Sequence, residues 1–548
     1  MSADTLTETT VPTRPYKRPV VSSLLTNIAV AALLTLAFNQ AFIHSIWPLG
    51  DSSLTLVLVS LLFLLNLFIC QLFGVGRLQK VWLIGLILLS TGCQYFMLQY
   101  GMLMDKSMLL NALETDSHEA YGLFNWAMLP YFIGYFVLPS LLIIWTRHDK
   151  VGSKRTMIRY SLAMLSIVAM IAILVITQYQ SFASLFREHR YLKHQAVPFN
   201  ILNAVIGTIH DKTSAQSSQS FVHHGEDAQA ILGTGKPQLV IMVLGETVRA
   251  DHLGINGYSR STTPRLAKQN IVNLGAIDSC GTATAVSVPC MFSYLNRENY
   301  NETLAKNSDN LLDILKRSGV KVMWRNNNSG CKSMCDRVEQ DQSFTRDANC
   351  TAGECSDLVL LNGLKQKLLA EKSAATPIFI VLHQQGNHGP EYYKRSTAAQ
   401  KQFTPECESN LLNQCQTEHI INAYDNAILA TDDLLNATIE LLKDLSTEFD
   451  TSMLYVSDHG ESLGENGVYL HGLPYWMAPE AQTKVPMLMW FSAETIKNTA
   501  LKTDCLQQNA AKVGSHDMVF DSVLSWLRIE SGAIRPSQNM FHGCYRTV

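Results

Sequence analysis

At 548 residues the chain is longer than one hydrophobic core ordinarily organises, which implies two or more domains. Hydrophobic residues make up 47% and charged residues only 16%, below the roughly one quarter usual in soluble domains, and the shortfall is concentrated before residue 180. A net charge of -3, without a basic stripe, argues against a nucleic-acid partner.

Residues 1–19 read as a charged tail, and five apolar segments come after it, near 20–47, 53–73, 81–103, 122–146 and 157–179. Each approaches the roughly 20 residues that span hydrocarbon, and five in succession exclude a cleaved signal peptide. Arg14, Lys17 and Arg18 precede the first segment, Arg77 and Lys80 separate the second from the third, and Arg147, Lys150, Lys154, Arg155 and Arg159 separate the fourth from the fifth. The positive-inside rule makes these regions cytoplasmic. A five-helix transmembrane domain over 20–180 therefore ends outside, and the segment 104–121 lies on that same outer side.

Residues 181–236 connect the membrane part to the remainder of the chain. The stretch "SFASLFREHRYLKHQAVPFNILNAVI" mixes aromatics with Arg187, Arg190 and Lys193, which suits a helix lying along a lipid surface and equally a plain amphipathic linker. "KTSAQSSQSFVHHGEDAQ" is polar and Ser/Gln-rich, and reads as a flexible tether.

Residues 237–548 alternate strand and helix patterns. Apolar β-type runs occur at 238–245, 320–324, 377–383, 452–457 and 485–491, and helical periodicity at 308–319, 356–370, 420–445 and 517–529. Continuous apolar strands separated by helices indicate an α/β domain with a central, mostly parallel sheet covered on both faces. Ligands in such sheets bind beyond the carboxyl ends of the strands.

The cysteines test the placement independently. Cys70 and Cys93 lie within spans and read as small buried apolar residues. The other ten all fall in the exported part, an even number suited to disulfides in an oxidising compartment. Proximity favours Cys280 with Cys290, Cys331 with Cys335, Cys350 with Cys355, Cys407 with Cys415, and Cys505 with Cys544, although connectivity does not follow from sequence.

Glu246 follows the first strand run, "NHGP" with His388 the third, "SDHGESLGENG" with Asp458 and His459 the fourth, and "LHGLP" with His471 comes shortly after. A lone Asp or His at a strand end is usually a cap. Four such sites on one rim point instead to a metal, and carboxylates mixed with imidazoles suit zinc better than magnesium or manganese. In "DSCGTATAVSVPCMFSYL", small residues after Cys280 could open a helix whose N-terminus favours a bound phosphate. Thr282, Thr284 and Ser287 are its hydroxyl candidates for a metal-activated nucleophile, and the chemistry alone does not choose among them.

The motifs "GETVRADH", "CGTATAVSVPCMFS", "HQQGNHGP" and "SDHGESLGENGVYLHG", joined to five spans, resemble the lipid A phosphoethanolamine transferases, a group that includes the mobile colistin-resistance enzymes. The resemblance covers essentially the whole chain and implies an alkaline phosphatase/sulfatase-like fold in a Gram-negative inner membrane, with the catalytic domain in the periplasm. It implies Thr284 as nucleophile and one tightly bound zinc held by Glu246, Thr284, Asp458 and His459. His388 and His471 correspond to histidines that contact a second metal or the substrate phosphate, Lys332 to a lysine near that phosphate, and Asn111, Thr115 and Glu119 to residues that hold the lipid headgroup. The implied donor is phosphatidylethanolamine and the implied acceptor a lipid A phosphate, through a phosphoethanolamine-threonine intermediate; oligomeric state is not implied.

Rival readings carry different signatures. A core-oligosaccharide acceptor would use the same motifs, and a glycerophosphate transferase would share the five spans and the threonine. The dense cysteines and the quoted motifs together favour an ethanolamine donor in a Gram-negative periplasm. A sulfatase or phosphodiesterase would use water as acceptor, but the sulfatase signature C/S-x-P-x-R is absent around 280–290. A non-catalytic anchored protein has no need of a hydroxyl beside a metal rim.

Overall fold

The computed structural model describes residues 18–49, 52–74, 76, 78–115, 117–148, 154–216, 220–231, 235–342, 350–351, 354–373 and 376–545. Most of the tail, with Arg14 and Lys17, and also Arg77 and Lys150, lie outside the described residues, as do the side chains of Glu119, Lys154 and Arg155. The chain forms two compact units: residues 1–95 with 126–198, and residues 96–125 with 199–548. These units do not follow the contiguous division expected at 180 and 236.

Among the described residues of the first unit, four helices are long and apolar enough to cross a membrane: Ser52–Leu72, Gln79–Tyr100 (of which residues beyond 95 belong to the second unit), Met128–Trp145 and Ile158–Thr177. The pair Ser23–Ala37 and Gln40–Ile46, bent by 58°, makes a fifth when its two helices are counted as one broken span. The break has an identifiable cause in Asn39. Its buried amide donates to Leu34 O and Val197 O, each at 2.8 Å, and accepts from Val197 N at 2.8 Å, so it replaces helical bonds that the bend interrupts. Some polar residues inside the bundle are likewise paired: Asn27 Nδ2 bonds Gln71 Oε1 at 2.5 Å, and Gln79 Nε2 bonds Asn27 Oδ1 at 2.9 Å.

The second unit is built on a seven-stranded sheet. Its strands are β1 (Gln238–Gly245), β2 (Val272–Asp278), β3 (Lys321–Asn326), β4 (Glu339–Gln340), β5 (Ile378–His383), β6 (Asp450–Ser457) and β7 (Lys484–Phe491), in the order β2-β7-β6-β1-β5-β3-β4. β6, β1, β5, β3 and β4 run parallel, as expected, whereas β7 is antiparallel to both its neighbours. Side chains of β1 alternate between two cores. Val240, Met242 and Leu244 pack on the face that holds helices Thr284–Phe292, Leu311–Arg317 and Met518–Trp526. Leu239, Ile241 and Val243 pack on the face covered by the long helix Thr417–Asp444.

The expected flexible tether is ordered where it is described. Helix Phe199–Gln216 carries the chain through "KTSAQ". Val222 then exchanges main-chain bonds with Asn307 and Asp309 at 3.0 and 2.9 Å, and Gln229–Ala230 pairs with Ile529–Glu530. A Ser/Gln-rich composition offers little apolar surface, but main-chain hydrogen bonding to a waiting edge needs none. All five proximity pairings of cysteine form disulfides, and Cys70 and Cys93 are free and buried.

Candidate active site

Register places the first two acids. Parallel pairing matches Gly245 of β1 with Ser457 of β6, so the next residues, Glu246 and Asp458, emerge side by side. The turn after β1 is tight: Thr247 adopts a left-handed φ of 54°, and its N–H donates to Asp458 Oδ1 at 3.1 Å. Gly386 closes over Glu246, because a Cβ there would lie 2.7 Å from Glu246 O.

Of the three hydroxyls left open by the sequence, Thr282 donates to Leu473 O at 2.6 Å and Ser287 to Asp458 O at 2.5 Å. Thr284, the first residue of its helix, lies instead against the acids. Its Oγ1 is 3.2 and 3.1 Å from the Glu246 carboxylate oxygens and 3.2 Å from His459 Nε2. Glu246, Asp458 and His459 are all fully buried, and their donor atoms lie within 4.8 Å of one another.

These donors fit a metal ion. Asp458 Oδ1 accepts from Thr247 N and His459 N, but Oδ2 is 3.3 Å from His459 Nε2 without hydrogen-bond geometry and has no partner among the described residues. His459 Nδ1 lies 2.9 Å from Gly460 O, an arrangement that turns Nε2 toward the carboxylates as a metal-binding histidine requires. The electrostatics also call for a cation. Burial, and then the Glu246 charge, push Asp458 up to about 8. Burial works against a charge on His459 as well, yet the Asp458 and Glu246 carboxylates lift it to about 10. Burial would raise Glu246 too, but its bond to His459 and the neighbouring imidazoles hold it below the usual carboxylate range. A divalent cation would serve all three groups at once.

His471 joins this cluster through ring contact with His459 at 4.3 Å between centroids, and His388 lies 5.5 Å from His471. Glu461, which the sequence reading passed over, receives the Tyr392 hydroxyl on one oxygen and lies 2.8 Å from His471 Nδ1 with the other. Its signal was present, since it follows His459 by two residues in the same motif. Asn328 was missed as well. It donates to Glu246 Oε2 at 2.8 Å and to Gln384 O at 2.9 Å, and it stands two residues beyond β3, where the strand-end rule would have found it.

Lys332 does not touch the metal-ligand candidates in this structure. Its Nζ lies 3.0 Å from Ser329 Oγ and 3.3 Å from Glu114 O, on a turn held by the Cys331–Cys335 disulfide. Glu114 ends helix Lys106–Glu114, which packs against the Thr284 helix. Asn111 and Thr115 are half-buried on this segment, with Thr115 N and Oγ1 both donating to Asn111 O at 2.9 and 2.7 Å. Backbone alone describes Glu119.

A helix-borne threonine set among buried acids and imidazoles at the carboxyl rim of an α/β sheet is the plan of the alkaline phosphatase and sulfatase superfamily. The Sulfatase family model matches residues 238–529, and the model for phosphoethanolamine transferase EptA/EptB matches residues 62–213. Phosphoethanolamine transferase EptA of Escherichia coli (strain K12) is 35% identical over 97% of this chain and 99% of its own length. Phosphatidylethanolamine transferase Mcr-1 of Escherichia coli is 39% identical over 95% of this chain and 98% of its own. The solved integral membrane lipooligosaccharide phosphoethanolamine transferase A (EptA) from Neisseria meningitidis superposes with a TM-score of 0.91 at 33% identity, covering 96% of this chain and all of that one. The chain belongs to the phosphoethanolamine transferase family, as an inner-membrane protein whose catalytic domain lies in the periplasm.

Proposed function

We propose that the protein transfers phosphoethanolamine from phosphatidylethanolamine to a lipid A phosphate by way of Thr284. The position of Thr284 Oγ1, within about 3.2 Å of both Glu246 and His459 in a fully buried acid cluster, carries the reading. In the first displacement, Thr284 Oγ attacks phosphorus as its proton passes to the Glu246 carboxylate to which it donates, the phosphoryl–oxygen bond to diacylglycerol breaks, and the departing oxygen takes a proton from His388 or His471. In the second, an oxygen of the lipid A phosphate attacks that phosphorus, and Thr284 leaves and regains a proton. Glu246, Asp458 and His459, with Thr284, would hold zinc, which when bound lowers the pKa of the attacking hydroxyl and offsets charge on the phosphoryl oxygens. Asn111, Thr115, Glu119 and Lys332 are assigned to the donor lipid. The product carries an ammonium where lipid A was anionic, which weakens attraction for cationic peptides such as the polymyxins.

The test is expression of Thr284→Ala beside the parent in a host whose lipid A is unmodified. The variant is expected to insert and fold while lipid A keeps its unmodified mass. A mass shift equal to the parent's would remove Thr284 from the reaction.

A further inference from the structure

Residues 96–125, the stretch that reaches out between the third and fourth spans, are compact with the sheet. One residue, Asn410, fastens both ends of that stretch. Its main-chain carbonyl accepts from Tyr100 OH at 3.2 Å, while its side-chain Nδ2 donates to Gly122 O at 3.0 Å and Phe124 O at 2.7 Å, and its Oδ1 accepts from Asn125 Nδ2 at 2.6 Å. Nearby, Asn413 Nδ2 donates to Gln99 Oε1 at 3.0 Å. Asn410 stands in the loop closed by Cys407–Cys415, and that loop is itself rooted, with Leu412 fully buried in the same core as Tyr100 and Met102.

Between the fastened ends, the chain is laid against the catalytic groups. Gly101 approaches the metal loop so closely that a Cβ would sit 2.8 Å from Gly467 O. Met108 Sδ would be 3.2 Å from a Cβ on Gly472, the residue after His471. Helix Lys106–Glu114 packs on the Thr284 helix and ends on Lys332. Joining the two ends of a loop removes much of its conformational freedom, so three side-chain bonds at one end and a main-chain bond at the other limit how far the intervening helix can shift.

We infer that Asn410 is a positioning residue for the lipid donor: by clasping residues 100 and 122–125 together it holds Asn111 and Thr115 at the Thr284 helix. The inference rests on the proposed function, in which these two residues receive the donor headgroup. Asn410 acts through them and touches no reacting atom, so its loss should change capture of a membrane lipid while leaving chemistry on a small donor alone.

The experiment uses full-length protein in detergent micelles and two donors, a fluorescent phosphatidylethanolamine and the water-soluble p-nitrophenyl ester of phosphoethanolamine, read by release of diacylglycerol and of p-nitrophenol. Asn410→Ala is expected to raise KM for the lipid donor roughly tenfold, with kcat and turnover of the soluble ester within about twofold of the parent. Asn125→Ala, which removes the bond to Asn410 Oδ1 and leaves the other three bonds of the clasp, should raise the same KM by a smaller factor and keeps the test alive if Asn410→Ala does not fold. An unchanged lipid KM, or equal loss on both donors, overturns the clasp. Thr284→Ala run alongside separates the two claims: residual turnover there would sink the nucleophile assignment, while the ratio between donors in the asparagine variants still decides the role of Asn410.

Discussion

His516 offers a sharp quantitative test because its environment admits only the neutral ring. It is buried behind the turn that leads from Cys280 to Thr284, where Nδ1 accepts from Cys280 N–H at 3.1 Å and Nε2 donates to Ser457 O at 2.9 Å. Protonation of Nδ1 would set one N–H against another. Burial above all, and the nearby His459 charge, lower its pKa to about 3, against the pull of the Ser457 carbonyl. An unfolded histidine titrates near 6.5, so between about pH 3 and about 6.5 the unfolded chain holds a proton that the folded chain refuses. The sign is then fixed: this contribution is complete above about 6.5 and is lost as the pH falls. At about pH 5, some 1.5 units below the unfolded value, the loss is about 2 kcal/mol. His516→Gln leaves Cys280 N–H without its acceptor, costing about 1–3 kcal/mol near pH 7.5, but it has nothing to titrate. Urea-dependent pulse proteolysis of the full-length proteins in micelles should therefore show the gap between parent and variant narrowing by about 2 kcal/mol from about pH 7.5 to about pH 5. A gap that stays constant would refute the buried neutral imidazole.

Two further outcomes are expected. Arg325 and Asp341 form a buried pair, 1% and 2% exposed, with the guanidinium also bonded to Leu360 O and Asn362 O at 2.8 and 2.9 Å. Arg325→Met leaves the buried carboxylate with Lys367 Nζ at 3.6 Å and without its close partner, and should cost about 3–5 kcal/mol by urea midpoint, much of it recovered in Arg325→Met/Asp341→Leu; a cost below about 1 kcal/mol would contradict the pairing. Asp458→Asn removes a charge from the metal-ligand candidates and should leave purified protein with far less zinc by elemental analysis, with chelation of the parent lowering its unfolding temperature; equal zinc in both proteins would exclude Asp458 as a ligand.

How each element is buried decides whether the sequence reveals it or hides it. β1, β5 and β6 are covered on both faces and read as unbroken apolar runs, so their ends, and with them Glu246, His388 and Asp458, were legible. β2 is an edge strand carrying Asn273 and Gly275, with its own register shift at Leu274 and Gly275 opposite Met487, and its pattern dissolves into a loop. The antiparallel course of β7 was hidden because an apolar run carries no direction. His516 and Asn410 were hidden for another reason. Each bonds mainly to main-chain groups 59 or more residues away, or across nearly 300, and such partners leave no local motif.

The pairing of β1 with β6 explains why a cation belongs to the fold as well as to the chemistry. Neighbouring strands lie about 4.8 Å apart, so a register that matches Gly245 with Ser457 brings the carboxylates of the residues that follow, Glu246 and Asp458, side by side with donor atoms within 4.8 Å in a buried site. Sequence could relieve that repulsion by offering an arginine, as Arg325 does for Asp341. Here it offers two backbone N–H groups to one oxygen of Asp458, a histidine whose other nitrogen is already taken by Gly460 O, and a threonine hydroxyl. None of these cancels the second negative charge on its own, whereas a divalent ion would, and its binding energy would then count toward folding. The same rim holds Glu461 differently: Tyr392 donates to one of its oxygens and His471 Nδ1 lies against the other, which orients the imidazole. Glu246 and Asp458 on one side of His459, and Glu461 with His471 on the other, thus make two adjoining groups, each with donor atoms close enough to share a metal ion.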